Sequence, residues 1–137
     1  MSFQEKRHLK SAWVSKGSTQ PKQWGHEDIW GCFQSIHGKI LHIKAGQSTS
    51  FKKHCNKNEV FYILSGKVEV LYGNEKSLTD PLGNPFVEQE LGIGDVFCVQ
   101  SDCPYRLKAM ESCQIIEIGD NLSDYAVYLD EVKIKLK

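Results

Sequence analysis

Short apolar runs broken by glycine and proline set the tightest limit on what this chain can become. GKILHIKAG (Gly38 to Gly46), VFYILSGKVEVLY (Val60 to Tyr72), Phe86 to Leu91, Val96 to Val99, Tyr105 to Met110 and Cys113 to Ile118 each run for a strand's length. Most alternate with a period of two, and turn residues separate them. No stretch carries a long 3.6-residue apolar period. Roughly eight to ten short strands of this kind predict an all-β sandwich or barrel. The clearest hairpin expected is Val60 to Tyr72, with Ser65-Gly66-Lys67 as its tight turn. Gly73 to Pro85 carries several breakers and reads as a surface loop.

One stretch concentrates the chemistry: GQSTSFKKHCNKNEVFYILSG, Gly46 to Gly66. Side chains alternate across a strand, so Lys52 and His54 share a face. Glu59 opens the returning strand and can face them. Three titratable groups are thus expected to meet where a barrel would have its mouth. In the preceding strand Ile40, His42 and Lys44 share one face; Lys39, Leu41 and Ile43 share the other. His42 either lines the polar cavity or is a hydrogen-bonded wall residue.

This spacing resembles the first motif of the cupin family, with Gly46, His54, Glu59 and Gly66 in register. Lys52 departs from it, because cupins usually place His or Gln there. A second cupin-like motif follows as GDVFCVQSDCPYRL, Gly94 to Leu107, in which Tyr105 takes the place of the family's last metal-binding histidine. The resemblance implies a double-stranded β-helix, a jelly roll. Within cupins, QWGHEDIW, GKILHIKAG, the His54 to Gly66 stretch and LSDYAVYLDEV are similar to the small mannose-6-phosphate-isomerase-like members. That likeness implies a small polar, sugar-like ligand. It also implies a homodimer, formed by burying a sheet face or exchanging an end strand.

In metal-binding cupins four side chains hold a divalent ion, and the corresponding seats here carry Lys52, His54, Glu59 and Tyr105. Only His54 and Glu59 are ordinary ligands for a first-row metal. Lys52 is a cation at neutral pH unless burial depresses its pKa. Tyr105 is a neutral phenol with a reference pKa near ~10. The expected cofactor is therefore none, or a weakly held divalent metal on His54 and Glu59. Without a metal, Lys52 can pair with Glu59 or bind an acidic group of a ligand, with His42 and Glu59 as further ligand-binding candidates. His54 can serve as a general base and Tyr105 as a proton donor across the pocket. A histidine base with a tyrosine acid resembles, in chemistry, the sugar-nucleotide epimerases of this superfamily. Three functions stay open: a ligand-binding cupin with metal-free acid-base chemistry, a metal-dependent enzyme of the sugar-phosphate isomerase type, and a non-catalytic dimeric module.

Length and charge narrow the setting. The 137 residues make one domain, read as an N-terminal arm over 1–20 and a single cupin domain over 21–137. The 17 basic and 17 acidic side chains cancel, so no overall field favours nucleic acid or an anionic membrane. No apolar run reaches the roughly 18 residues of a membrane span. MSFQEKRHLK lacks the apolar core of a signal peptide, so a cytoplasmic location is expected. Five cysteines, with no CxxC pair, suit reduced thiols, with Cys98 expected in the core. Trp24 and Trp30 are expected to cap one barrel end, and His26 to lie on the surface. In the tail, Leu122-Ser123-Asp124 is expected to start one helical turn, and Val132, Ile134 and Leu136 to alternate with lysines in a strand.

Overall fold

The computed structural model describes residues 9–120 and 124–131. Its elements are β1 (Ser18–Lys22), β2 (Gly25–Phe33), β3 (Ile36–Ile43), β4 (Lys52–His54), β5 (Glu59–Ser65), β6 (Val68–Tyr72), β7 (Val87–Leu91), β8 (Val96–Val99), β9 (Tyr105–Ala109), β10 (Cys113–Asp120) and β11 (Ala126–Tyr128). They form two antiparallel sheets. The first has the order β1-β2-β3-β10-β5-β8, the second β11-β4-β9-β6-β7. Two antiparallel sheets packed face to face in this crossed order make a jelly roll. No helix among the described residues is long and apolar enough to cross a membrane.

Alternation decides which side chains enter the core. Along β5, Phe61 and Ile63 are buried while Val60, Tyr62 and Leu64 face outward. Along β10, Cys113, Ile115, Glu117 and Gly119 point inward. Leu41 and Ile43 from β3, Val68 and Val70 from β6, Leu91 from β7, Phe97 and Val99 from β8, and Tyr105, Leu107 and Ala109 from β9 join the main core. A smaller cluster of Phe51, Leu71 and Phe86 lies under Leu129.

The expected hairpin over Val60 to Tyr72 does not form. β5 pairs with β10 and β8, whereas β6 pairs with β9 and β7. The Ser65-Gly66-Lys67 turn instead carries the chain from one sheet to the other. Alternation reveals that both runs are strands with a buried face, but not which neighbour each pairs with. Gly66 makes the corner possible. Its φ is 81°, and a Cβ there would lie 2.3 Å from the Ser112 carbonyl oxygen. Met110 N–H donates to the Lys67 carbonyl, so this corner packs on the one that links β9 to β10.

Cys98 is also not in the core. On β8 the inward positions are Phe97 and Val99, which leaves the Cys98 thiol exposed. All five cysteines are free thiols. Trp24 packs against the main core, while Trp30 is about half exposed and sits against Gly38. β1 begins at Ser18, inside the first twenty residues, and pairs with β2 of the same chain. The expected turn at Leu122-Ser123 and the alternating segment from Val132 to Leu136 lie outside the described residues.

The register across the first sheet sorts the barrel interior by polarity. Ile43 lies opposite Cys113; Leu41, Ile115 and Ile63 form the next inward row. Lys39, Glu117 and Phe61 form the row after that, and His37, Gly119 and Glu59 the last. One end of the interior is therefore hydrocarbon and the other is ionisable.

Replacing Gly66 by Ala should destabilise the fold by at least about 2 kcal/mol, from the left-handed backbone and the overlap with a fixed carbonyl. Urea unfolding of both proteins, read by tryptophan fluorescence, provides the check.

Candidate functional site at the polar end of the barrel

Glu59 is the centre of the polar end. It is the first residue of β5, so it lies in the last inward row, flanked by Gly119 of β10 on one side and Val99 of β8 on the other. It is 5% exposed. The Tyr105 hydroxyl donates to Glu59 Oε1 at 2.5 Å from the opposite sheet. His54 Nε2 lies 3.4 Å from the same oxygen, and Lys57 Nζ lies 3.5 Å from Oε2. Burial pushes the Glu59 carboxyl up, but Lys57, the Tyr105 hydrogen bond and His54 together hold it below its ordinary value. Glu59 is thus a buried, ionised carboxylate.

Three of the other expected site residues gather around it. β4 places Lys52 and His54 on one face, as the period of two requires. Lys52 pairs in register with Tyr105, and its Nζ lies 5.6 Å from the centroid of that ring. Burial lowers the Lys52 pKa, opposed by the charges of Glu117 and Glu59. Burial also lowers that of His54, again opposed by Glu59. Tyr105 is fully enclosed; burial first, and Glu59 second, raise its pKa well above the ordinary phenol value. Its proton therefore stays in place as a hydrogen bond to Glu59.

His42 is not part of this cluster. It lies on the face of β3 opposite Leu41 and Ile43, because its position has the wrong parity for the interior. There it stacks on His26, the residue directly across in β2, with ring centroids 4.1 Å apart. Its Nε2 lies 2.7 Å from Asp28 Oδ2, and Gln114 Nε2 approaches its Nδ1 at 3.4 Å. His42 is the hydrogen-bonded wall residue of the two roles open to it. It also borders a shallow outer cavity of about 350 Å³, lined with His26, Lys44, Ser65 and Gln114.

Four residues that sequence reading passed over belong to the site. Glu117 and His37 are buried beside Glu59, with His37 Nδ1 3.7 Å from Glu117 Oε2. Burial, reinforced by the charge of Glu59, raises the Glu117 pKa to about 8. At neutral pH Glu117 is therefore protonated and donates its hydrogen to Glu59. Lys57 supplies the nearby cation. Asp124, just before β11, brings Oδ2 to 3.2 Å from His54 Nδ1, close enough for charge attraction but without hydrogen-bond alignment. A signal existed for Glu117, which follows Cys113 and Ile115 in the inward phase of an apolar strand. His37 shares the inward phase of Lys39, Leu41 and Ile43. Asp124 gives no such signal, since a turn separates it from any periodic run.

The four seats that the cupin resemblance assigns to a metal do not fit one. Lys52 is an amine over an aromatic ring, and Tyr105 is a neutral phenol already bonded to Glu59. Only His54 and Glu59 remain as donors, too few to anchor a dication at that position.

The raised pKa of Glu117 has a sign for stability. Its folded value, about 8, exceeds the ordinary value of 4.5, so the folded state keeps a proton that the unfolded chain releases. Stability falls as pH rises from about 5 to about 8, by at most ~1.4 kcal/mol per pH unit. In chelator-treated protein, Glu117→Gln should remove this contribution. The variant should gain on the wild type steadily over that window in urea unfolding at pH 5.5 and 8.0.

No protein-family profile and no curated protein matches the chain. Solved structures do. Oxalate decarboxylase of Bacillus subtilis at pH 4.6 aligns with a TM-score of 0.70 at 16% identity, over 90% of this chain and 34% of that one. Oxalate decarboxylase of Lactobacillus farciminis, in a formate complex, gives 0.66 at 11%, over 87% and 38%. KdgF from Halomonas sp. gives 0.63 at 15%, over 76% and 87%. The chain thus spans about a third of each oxalate decarboxylase and most of KdgF. Identities this low speak for architecture. With its two crossed antiparallel sheets, the chain has the cupin jelly-roll fold.

Proposed function

We propose that this chain is a small cupin that binds a small polar ligand, sugar-like or acidic, at the polar end of its barrel. The observation that carries this reading is the meeting of Lys52 and His54 from one sheet with Glu59 from the other. Lys52 is the group suited to an acidic substituent of the ligand, since it is only partly buried and pairs with no carboxylate at contact distance among the described residues. His54, kept neutral by burial, is suited to take a proton at Nε2, with Asp124 beside its other nitrogen. Tyr105 acts here as a positioning residue: its proton is committed to Glu59, and it fixes that carboxylate between His54 and Lys57.

A small carboxylate is the ligand class to try first. One structural neighbour carries formate and several are named for oxalate, although they share the fold at low identity. Mono- and dicarboxylates of this size and simple aldoses should be titrated against the protein and followed by NMR. Lys52→Gln should weaken carboxylate binding by roughly 10–100-fold, the loss expected for a charge-assisted hydrogen bond. Sugar binding should be almost unchanged. Binding of neither class by the wild type would sink the reading.

The same reading includes a homodimer through the outer face of the first sheet. There Ile118, Val60 and Cys98 form one cross-strand row and Ile116, Tyr62 and Val96 the next. Val60, Tyr62, Val96 and Ile118 are 37–55% exposed, a contiguous apolar surface three strands wide. Such a surface suits a partner sheet. Sedimentation velocity at high micromolar concentration should give a dimer, and Tyr62→Lys a monomer. A wild type that sediments only as a monomer would remove the dimer.

A further inference from the structure

We infer that the chain holds a first-row divalent cation on His37, Glu59 and Glu117, a set that keeps Glu59 of the seats its motifs would suggest and takes its other donors from the first sheet. The inference shares Glu59 with the small-ligand reading but does not rest on it, because its other donors come from β3 and β10 and cation uptake needs no organic ligand.

Three observations carry it. The first is geometric. One ligand atom from each of His37, Glu59 and Glu117 lies within 4.8 Å of the others, and all three residues are buried. The separation of 3.7 Å between His37 Nδ1 and Glu117 Oε2 is near the ~3.4 Å expected between tetrahedral donors at ordinary metal-ligand distances. The register produces this triangle directly. His37 and Glu59 lie on either side of Gly119, and Glu117 is the next inward residue along the central strand.

The second is an orphan. His37 is 1% exposed, yet neither of its ring nitrogens has a hydrogen-bond partner. A buried imidazole N–H without a partner costs about 1–3 kcal/mol, so such a ring calls for an occupant beside it. Gly119 clears the ring's position: a Cβ there would lie 2.1 Å from His37 Nε2.

The third is charge. Glu59 and Glu117 are buried side by side, and only Glu59 has a lysine at contact distance among the described residues. Two carboxylates so placed must share a proton or a cation. One imidazole and two carboxylates are a nitrogen-oxygen donor set suited to zinc, manganese, iron or cobalt. Calcium prefers six to eight oxygens. His54 Nε2, 3.4 Å from Glu59 Oε1, is the next nitrogen across the barrel, and the Tyr105 hydroxyl would steady Glu59 through its hydrogen bond.

The test uses the full chain stripped with a chelator and titrated with ZnCl₂ by calorimetry. Parallel CoCl₂ titrations are read by visible absorption. The wild type should bind one equivalent, and Glu117→Gln and His37→Gln should each weaken binding by about 100-fold. His42→Asn, which breaks the outer His26-Asp28-His42 group, should bind like the wild type. On the wild type itself, the ring-nitrogen NMR signals of His37 should shift on adding zinc, whether or not the variants fold. No uptake of zinc, an unmoved His37 ring, a loss that follows His42→Asn, or wild-type affinity in both Glu117→Gln and His37→Gln would each overturn the inference. Zinc uptake is read without any organic ligand, so its failure is distinct from failure of the ligand-binding reading.

Discussion

The charge on Glu59 governs the interior of this protein. An isolated carboxylate would not stay ionised at 5% exposure in a sheet-sheet core. It does so here because four groups face it: a phenol from the second sheet, a lysine from the loop before β5, an imidazole from β4 and a protonated carboxyl from β10. Each of those groups is in turn held by Glu59. Burial first and that carboxylate second hold the proton on Tyr105, and Glu117 is neutral for the same two reasons. The polar end is therefore one coupled system. Removing a single member changes the protonation of the others as well as their packing.

Register explains why these groups meet. Residues 37, 59 and 119 are far apart in sequence and occupy three neighbouring strands. Antiparallel pairing places them in one row. Two rows further along, the same three strands contribute only Leu41, Ile63 and Ile115. A slip of one residue in any of them would turn its polar residue out to solvent and an outer residue inward. The hydrocarbon rows resist that slip, so apolar packing at one end fixes the chemistry at the other.

Much of this could be read from the sequence. Alternation and turn residues give an all-β sandwich or barrel, and the resemblance of Gly46, His54, Glu59 and Gly66 to the first cupin motif implies a jelly roll. The meeting of Lys52, His54 and Glu59 follows from strand parity, and the cupin resemblance adds Tyr105 to them. What was hidden is mostly partnership between distant strands. Val60 to Tyr72 looked like a hairpin because two adjacent strands with a glycine between them usually pair, and nothing local shows that Gly66 turns a corner between sheets. The valines and phenylalanine around Cys98 suggest a core position, whereas the two-residue period sends it outward. The sequence places His42 and Leu41 on opposite faces of one strand, and the burial of Leu41 and Ile43 decides which face is inward. His37 and Glu117 share the inward phase of apolar neighbours, but their closeness to Glu59 depends on β10 lying between β3 and β5.

That placement of β10 also sets an order of events for a chain emerging from a ribosome. β3 and β5 are made early and are neighbours in the final sheet only through a strand that lies some fifty residues beyond β5. Until residues 113–120 arrive, both carry bare backbone edges with apolar side chains between them. Closure must wait for contacts of large sequence separation, which makes folding slow and leaves the nascent chain open to capture by chaperones or by other copies of itself. The ionisable row and the hydrocarbon rows between β3 and β5 close on the same strand, so neither forms before β10 is in place.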